Sequence, residues 1–185
     1  DTIVIATSSE TPTLSFAEHN TTAANYMNTL TYEGLLRLDM EMQPQPCLAE
    51  SYESMSDTVW RFYLREGVLY HNGDTMTAED VKASLEYAQQ FAEVSAYTSE
   101  IKSVTVVDEY TVDVETLAPS ASILDNLSAF ANSIVPKQLI DNGHDFNTSP
   151  IGTGPYVFQD WKRGDQLEFE AFDDYWNGKP AIQHM

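Results

Sequence analysis

The chain has 185 residues, of which 42% are hydrophobic and 11% aromatic, so it can bury a core and is not a disordered protein. Its 29 Asp and Glu outnumber its 9 Lys and Arg, which gives a formal net charge of −20. A chain this acidic repels phosphate groups, so we expect neither a nucleic-acid partner nor adsorption to anionic lipid. The single cysteine, Cys47, excludes an internal disulfide.

The first part of the chain predicts short strands around one helix. The apolar run at 3–6 predicts a short buried strand, residues 22–32 a helix, and residues 35–38 a second strand. The Gln-Pro-Gln-Pro sequence at 43–46 is expected to interrupt regular structure, because two prolines so close together suit neither a helix nor a strand ladder. We therefore place a first boundary there.

The middle of the chain contains a strand, a turn and a helix in quick succession. Residues 59–65 alternate strictly between apolar and polar side chains, which predicts a half-buried strand with one inward face formed by Trp60, Phe62 and Leu64. Residues 68–70 are expected to continue as strand into a turn at Asn72-Gly73.

Thr77 is expected to begin the clearest helix of the chain. Its hydroxyl could accept a hydrogen bond from a backbone amide near Asp80, and the apolar side chains that follow are spaced as on one helix face. The remaining predicted elements are strands at 104–107 and 111–116, helices at 123–130 and from Pro136 to Asn142, and a hairpin of strands 156–161 and 166–172.

The sequence predicts no catalytic set, no metal site and no cofactor. The four histidines are scattered, and Cys47 has no nearby catalytic partner. Residues 141–147 alternate oxygen ligands as a calcium loop does, but the glycine and the closing glutamate of that loop are missing, so a helix end is favoured. Residues 152–154, Gly-Thr-Gly, lack the lysine of a phosphate-binding loop and are interpreted as a rigid chain crossing between prolines.

Short motifs along the chain resemble the family 5 solute-binding proteins, which are extracytoplasmic receptors of ABC importers for peptides, nickel and related ligands. Each motif is short, but together they occur in the family's order and cover nearly the whole chain from about residue 12. The motifs lie at residues 32–35, 46–52, 60–68, 72–81, 135–137, 150–156 and 175–180.

The resemblance implies a mixed α/β fold like that of the type II periplasmic binding proteins. In that fold a discontinuous first lobe carries an inserted α/β subdomain, and a second lobe closes over the ligand. It implies that residues 1–42 and 152–185 form the first lobe and that residues 43–151 form the inserted subdomain. Family members are several hundred residues long, so the chain is expected to represent their N-terminal part, with the second lobe absent.

The same resemblance implies a transport receptor and no enzyme. The ligand is expected to be a peptide or another small molecule, and the partners are expected to be the membrane permease subunits of an ABC importer. The expected location is the periplasm or the outer face of the cell membrane, with any lipid anchor upstream of this chain, because Pro46 precedes Cys47 where an anchored cysteine needs a small residue. The alternatives are an enzyme or interaction module that reuses the fold, or a receptor for a nickel chelate or an oligosaccharide.

The family's cleft also suggests which residues face the ligand. Nickel-type relatives carry a basic residue near the position of Asn132, so an asparagine there favours peptide-like ligands over anionic metal chelates. The residues that the resemblance assigns to ligand binding are Asn20, Thr22, Asn25, Tyr26, Tyr97, Asn132 and Ser133.

Overall fold

A computed structural model describes all residues from 1 to 185 and has a mixed α/β architecture. Its helices are α1 (Thr22–Thr31), α2 (Ala78–Ala88), α3 (Ser95–Thr98), α4 (Ile123–Leu127) and α5 (Lys137–Asp141), with 3-10 turns at Ala92–Val94 and Phe130–Asn132. Its strands are β1 (Leu36–Leu38), β2 (Pro44–Pro46), β3 (Ala49–Ser54), β4 (Val59–Leu64), β5 (Ile101–Asp108), β6 (Thr111–Thr116), β7 (Tyr156–Lys162) and β8 (Gln166–Ala171). None of the helices combines the length and the apolar character that crossing a bilayer requires.

A four-stranded antiparallel sheet in the order β3-β4-β6-β5 forms the centre of the molecule. Strand β4 pairs on both sides, with Phe62 opposite Tyr52 on β3 and Val112 on β6. The alternation in β4 is confirmed, because Phe62 and Leu64 are buried while Arg61 turns outward and binds Asp113 through two hydrogen bonds of 2.7 and 2.8 Å.

Helix α2 covers the inner face of this sheet and completes the main core. Val81 and Leu85 of α2 are fully buried among the inward residues of β4, β5 and β6, and Trp60 packs against their edge. Fully burying each aliphatic side chain of this kind contributes roughly 1.5–3 kcal/mol relative to leaving it exposed. Leu35 and Leu36 reach into the same core from the first part of the chain.

Helix α2 begins with a capping box formed by Thr77 and Asp80. The Asp80 carboxylate accepts the backbone N–H of Thr77 at 2.8 Å, and the Thr77 hydroxyl lies 3.4 Å from the same oxygen. The other Asp80 oxygen accepts the N–H of Lys137 at 2.7 Å, at the start of α5. The Thr77 side chain in turn faces the backbone N–H of Asp80, which completes a capping box and agrees with the predicted role of Thr77. The Asp80 carboxylate serves both helix starts at once.

The proline pair at 43–46 does form a strand, which corrects the predicted break. Strand β2 pairs with β1 in a two-stranded antiparallel sheet, with Pro46 opposite Leu36 and Pro44 opposite Leu38. The backbone hydrogen bonds from Cys47 to Leu35 and from Asp39 to Gln43 place the bonded pairs at alternate positions. Both prolines therefore occupy positions that need no N–H donor.

The predicted buried strand at residues 3–6 is also wrong. Val4 is 89% exposed and Ile5 60% exposed, and the segment makes only a bridge between Thr2 and His184, with one hydrogen bond from Ile3 to the His184 carbonyl. A short apolar run predicts burial only if other chain covers it, and nothing within residues 1–185 covers Val4.

Two further elements are shorter than predicted. At 68–70 only a bridge between Leu69 and Thr75 forms, although Val68 and Tyr70 are buried. Helix α4 ends at Leu127 because the Ser128 hydroxyl donates to the Leu124 carbonyl and the chain continues into a 3-10 turn.

The hairpin of β7 and β8 packs against α1 rather than against the central sheet. Tyr156, Phe169 and Ala171 form a small core together with Met27 and Leu30 of α1. Contacts thus run between the residues before 42 and those after 152, while Leu35 and Leu36 also belong to the main core. The division into 1–42, 43–151 and 152–185 stays a prediction.

Candidate functional site

The side chain of Glu33 joins four distant parts of the chain at one partly buried point. Its Oε1 accepts from the Tyr175 hydroxyl at 2.6 Å and faces the Cys47 thiol at 3.8 Å. Its Oε2 accepts from the Trp176 ring N–H at 2.8 Å and from the Thr153 hydroxyl at 2.9 Å. We call these five residues the Glu33 junction.

Beside the junction, the Gly-Thr-Gly segment at 152–154 crosses the end of α1 in direct backbone contact. The Gly154 N–H donates to the Thr31 carbonyl at 2.9 Å. A Cβ at Gly152 would overlap that carbonyl oxygen, and a Cβ at Gly154 would lie 2.6 Å from the Leu30 carbonyl oxygen. The interpretation of this segment as a rigid crossing follows from these contacts, which only glycine permits.

His71 holds the same crossing from its other side. The His71 backbone N–H donates to the Gly152 carbonyl at 3.0 Å, and its ring Nε2 lies 2.8 Å from the Gly154 carbonyl oxygen, so that nitrogen carries the proton. Its Nδ1 is buried without a partner, and burial lowers the pKa of the ring. The neutral imidazole therefore acts as a fixed hydrogen-bond donor that positions the crossing.

The pKa shifts at the Glu33 junction indicate a structural role rather than a catalytic one. Burial raises the pKa of the Glu33 carboxyl, although the hydrogen bonds from its donors oppose that shift. Burial and the nearby Glu33 charge raise the pKa of Cys47 to about 12, and burial raises that of Tyr175 well above its usual range. Cys47 is thus a neutral thiol near pH 7 and is a poor nucleophile.

Three of the sequence-predicted ligand residues lie on α1 away from its buried stripe, with Thr22 and Tyr26 exposed and Asn25 half-buried. Ala24, Asn28 and Thr31 form the buried stripe of this helix, so Thr22, Asn25 and Tyr26 lie on its other side. Tyr26 is 63% exposed, and Asn20 is exposed just before the helix. Thr21 caps the helix through its hydroxyl, which accepts the Ala24 N–H at 3.4 Å.

The other three predicted residues meet at the 3-10 turn that precedes Ser133. The Asn132 Nδ2 donates to the carbonyls of Asn126 at 2.8 Å and Tyr97 at 3.2 Å, and its Oδ1 is buried without a donor. The Tyr97 ring packs edge-on against Phe130 with centroids 5.5 Å apart. The Ser133 hydroxyl donates to the Phe130 carbonyl at 2.6 Å, so this hydroxyl already has a hydrogen-bond partner within the fold.

His19 connects these two groups, and the sequence pattern did not indicate it. Its ring stacks on Phe130 with centroids 4.8 Å apart, and its Nε2 lies 2.8 Å from Asn28 on α1. Burial lowers its pKa, so the ring is neutral near pH 7. The one sequence signal for His19 is that it directly precedes Asn20, a predicted ligand residue. No spacing rule links His19 to Phe130.

We define the candidate ligand face as the seven predicted ligand residues together with His19 and Phe130. The structure brings Tyr97 and Asn132 into direct contact, whereas no hydrogen bond joins them to Asn25 or Tyr26. Asn132 and Ser133 are buried, so the groups that a ligand could reach are those of Asn20, Thr22 and Tyr26, which are exposed, and of Asn25 and Tyr97, which are half-buried. No three His, Cys, Asp or Glu side chains of the chain come together as a metal site would require.

The fold is that of ligand-binding receptors of the periplasmic type. The structure superposes with a TM-score of 0.86 and 32% identity on AgaA of A. tumefacien R10, solved with agropinic acid, covering 95% of this chain and 37% of that one. It superposes with a TM-score of 0.85 and 32% identity on NikZ of Campylobacter jejuni, solved with Ni(L-His), covering 99% of this chain and 38% of that one. The oligopeptide-binding protein AppA of Bacillus subtilis, at 24% identity, shares the fold with a TM-score of 0.84 over 95% of this chain and 37% of AppA.

Residues 43–185 match the family described as bacterial extracellular solute-binding proteins, family 5 Middle. The chain belongs to this family. It is 29% identical over 153 residues to the nickel-binding protein NikA of Staphylococcus aureus, which covers 83% of this chain and 30% of NikA. It is 30% identical over 189 residues to the glutathione-binding protein GsiB of Escherichia coli K12, covering 99% of this chain. The chain spans 37% of the length of GsiB, and these relatives are named as binding proteins, not as enzymes.

Proposed function

We propose that the complete protein is an extracytoplasmic receptor of an ABC importer, which captures a small ligand and delivers it to the permease subunits in the membrane. Membership of family 5 is the observation that carries this proposal. The superposition over 95–99% of the chain on receptors solved with small ligands supports it. A receptor of this kind performs no covalent step, which agrees with a buried thiol at Cys47 that stays protonated.

Peptides are the ligand class that we favour. The GsiB relative is named for glutathione, which is itself a tripeptide. Amide side chains such as Asn25 can pair with a peptide main chain, and the exposed ring of Tyr26 can cover side chains of different shapes. An uncharged asparagine at position 132 favours such a ligand over an anionic chelate.

A nickel–histidine complex is the second candidate. Two similar proteins, NikA and NikZ, support it by the names and ligands they carry. Because histidine supplies the metal ligands in such a complex, the receptor itself would need few metal-binding groups. An oligosaccharide ligand, or an enzyme built on the same fold, remains an alternative outcome of the experiment below.

The proposed mechanism is closure of two lobes on the ligand. Residues 1–42 and 152–185 would form the first lobe, residues 43–151 its inserted subdomain, and the remainder of the complete protein the second lobe. Closure removes water from the ligand's polar groups and pairs them from both sides.

Calorimetry on the complete protein tests the proposal. It should bind a mixed pool of di- to pentapeptides with micromolar or tighter affinity and should return the peptides uncleaved in mass spectra. Tyr26→Ala should weaken binding, whereas Tyr63→Ala on the outer face of β4 is the matched control. Binding of Ni(L-His)₂ or of an oligosaccharide in place of the peptides would select the corresponding alternative, and cleaved peptides would select an enzyme.

A further inference from the structure

We propose that the tip of the hairpin between β1 and β2 is a modification site, at which hydroperoxides oxidise Met40 and Met42 to methionine sulfoxide. Residues 39–43 are called the hairpin tip. Three observations support this site: the exposure of the two side chains, the rigid turn that presents them, and the burial of the single cysteine and of Met76. The site is independent of the proposed receptor function.

The two methionines of the hairpin tip are the most exposed methionines of the chain. Met40 is 96% exposed and Met42 is 65% exposed, and neither belongs to an apolar cluster of the fold. Met55, after β3, follows at 48%. The other three are partly or completely buried: Met27, Met76 and Met185. Water surrounds both thioethers of the tip, so a peroxide dissolved in water reaches them.

Hydrogen bonds hold the hairpin tip in one turn. One oxygen of the Asp39 carboxylate accepts the backbone N–H groups of Glu41 at 3.0 Å and of Gln43 at 2.8 Å. Its other oxygen accepts from the Gln45 amide at 2.8 Å, and the Met42 N–H donates to the Asp39 carbonyl at 3.0 Å. Met42 takes the left-handed φ of 59° in this turn. The backbone of the tip is therefore fixed with its methionine side chains in solvent.

The cysteine of the chain does not compete with the tip for oxidant. A thiolate is ordinarily a preferred target of peroxide in a protein, and its reactivity follows its exposure. Cys47 is only 2% exposed, and burial together with the nearby Glu33 charge raises its pKa to about 12. Very little thiolate exists near pH 7, and it is shielded from solvent. The exposed methionines are therefore the sulfur groups that a hydroperoxide meets first.

The reaction at each thioether needs only the peroxide as co-reactant. A lone pair of the sulfur attacks one oxygen of hydrogen peroxide, an S–O bond forms, and the O–O bond breaks. The displaced hydroxide takes the proton from the transferred oxygen, so the products are one sulfoxide and one water. The sulfur loses the two electrons that the peroxide gains, and sulfoxide reductases reverse this change.

Oxidation at the hairpin tip is compatible with the fold, whereas oxidation of Met76 is not. Water solvates a polar sulfoxide at positions 40 and 42, because both side chains stand in solvent. Met76 is 0% exposed within the main core, where a sulfoxide oxygen would be a buried polar group among apolar side chains. The tip can therefore take up oxidant without loss of structure.

Peptide mapping of the 185-residue chain during exposure to hydrogen peroxide tests the proposal. Mass spectra of the fragments should show that Met40 and Met42 gain an oxygen atom about tenfold faster than Met76, or more. Their rates should match those in a free peptide of residues 38–44. In concentrated urea Met76 should react as fast as the tip, since unfolding exposes it. Equal rates for Met40 and Met76 in the folded chain, or earlier oxidation of Cys47, would overturn the proposal.

A double variant assigns the peroxide consumption to the tip. Met40→Leu combined with Met42→Leu keeps the side-chain volume but removes both thioethers, so it should lose most of the rapid consumption. Met76→Leu is the matched control and should keep that rapid consumption. Survival of the rapid consumption in the double variant would show that the reactive groups lie elsewhere.

Two further measurements test whether the site tolerates oxidation and stays accessible. After mild oxidation confined to the tip, the urea midpoint of the chain should be unchanged, and a lower midpoint would contradict oxidation without loss of structure. In the complete protein, Met40 and Met42 should react as fast as in the 185-residue chain. Slower reaction there would mean that another part of the protein covers the tip, which would contradict a modification site.

Discussion

The Glu33 junction and the candidate ligand face are neighbours, since Ser133 pairs with Gly34 beside Glu33, but they differ in how their polar groups are paired. At the junction, both carboxylate oxygens of Glu33 are saturated by donors from distant segments, and glycines let two backbones touch. At the face, the Asn132 and Asn25 oxygens have no donor, and Tyr26 is mostly exposed. The first region is a closed hydrogen-bond network, whereas at the second the unpaired asparagine oxygens are buried and the Tyr26 ring is free at the surface.

This difference explains what the family motifs encode. Glu33, Thr153, Tyr175 and Trp176 belong to the motifs that carry the resemblance, and their side chains join distant parts of the fold. Among the predicted ligand residues, none lies within a motif. The motifs therefore identify the scaffold, and the residues predicted to bind the ligand lie outside them.

The largest effect is expected at the Gly-Thr-Gly crossing. Gly152→Ala places a methyl group on the Thr31 carbonyl oxygen and should lower the free energy of unfolding by about 4 kcal/mol or more, or prevent folding. Gly164→Ala is the matched control, because its surroundings are open and only its positive φ of 74° opposes alanine, which costs about 1–2 kcal/mol. Urea denaturation measures both, and equal losses would show that the crossing tolerates a side chain.

A smaller loss is expected for Glu33→Gln. The amide cannot accept all the donors that surround the carboxylate, so the free energy of unfolding should fall by about 2–3 kcal/mol near pH 7. Thermal and urea unfolding measure the loss, and Glu53→Gln, on the exposed edge strand β3, should cost much less.

The pH dependence of the free energy of unfolding, measured for the wild type and for Glu33→Gln, tests the charge state of the Glu33 carboxyl. Burial raises the Glu33 pKa in the folded protein above its value in the unfolded chain. The folded state therefore binds a proton more readily, and this proton binding adds stability at low pH that is lost as pH rises through the raised pKa. The advantage of the wild type over Glu33→Gln should therefore increase as pH falls from 7 towards 4. A decreasing advantage would mean that the hydrogen bonds outweigh burial and lower this pKa.

Substitutions in the cap shared by α2 and α5 should lower the free energy of unfolding by intermediate amounts. Asp80→Ala removes the acceptor shared by the backbone N–H groups of Thr77 and Lys137 and should cost about 2 kcal/mol. Thr77→Ala should cost about 1 kcal/mol, because it removes only the Thr77 half of the capping box and leaves the Asp80 carboxylate in place. If Thr77→Ala proves the more costly in urea denaturation, the hydroxyl and not the carboxylate is the cap.

The smallest effect on stability is expected at the ligand face. Tyr26→Leu should change the free energy of unfolding by no more than about 0.5 kcal/mol, since the ring is mostly exposed. The same variant in the complete protein should weaken peptide binding. A large stability loss would mean that the ring supports the fold.

The sequence predicted the parts of this structure that depend on local patterns. Strict alternation in β4 and in the hairpin of β7 and β8 gave the correct strands, and the spacing in α2 gave its buried stripe. The β2 strand was missed because prolines are tolerated only in a register set by the partner strand β1. The exposed run at 3–6 was misjudged because burial depends on what covers it.

The candidate site was predictable only through the family resemblance. That likeness alone assigned its residues, and no periodicity links them: Asn20, Thr22, Asn25, Tyr26, Tyr97, Asn132 and Ser133. The contacts of His19 with Phe130, and of Glu33 with Tyr175, join residues far apart in the sequence and arise only when the chain folds. Nothing local in the sequence marks Glu33 as the centre of a junction.

The central claim is that residues 1–185 supply a stable scaffold and one side of a ligand site. The direct test is calorimetry with the mixed di- to pentapeptide pool on the 185-residue chain and on the complete protein. A one-sided site leaves ligand groups in water, where a hydrogen bond contributes only about 0.5–1.5 kcal/mol, and ordering the ligand costs at least as much. The account predicts a cooperatively folded 185-residue chain with weak or no binding and a complete protein with micromolar or tighter binding, whereas micromolar binding by the 185-residue chain alone would contradict it.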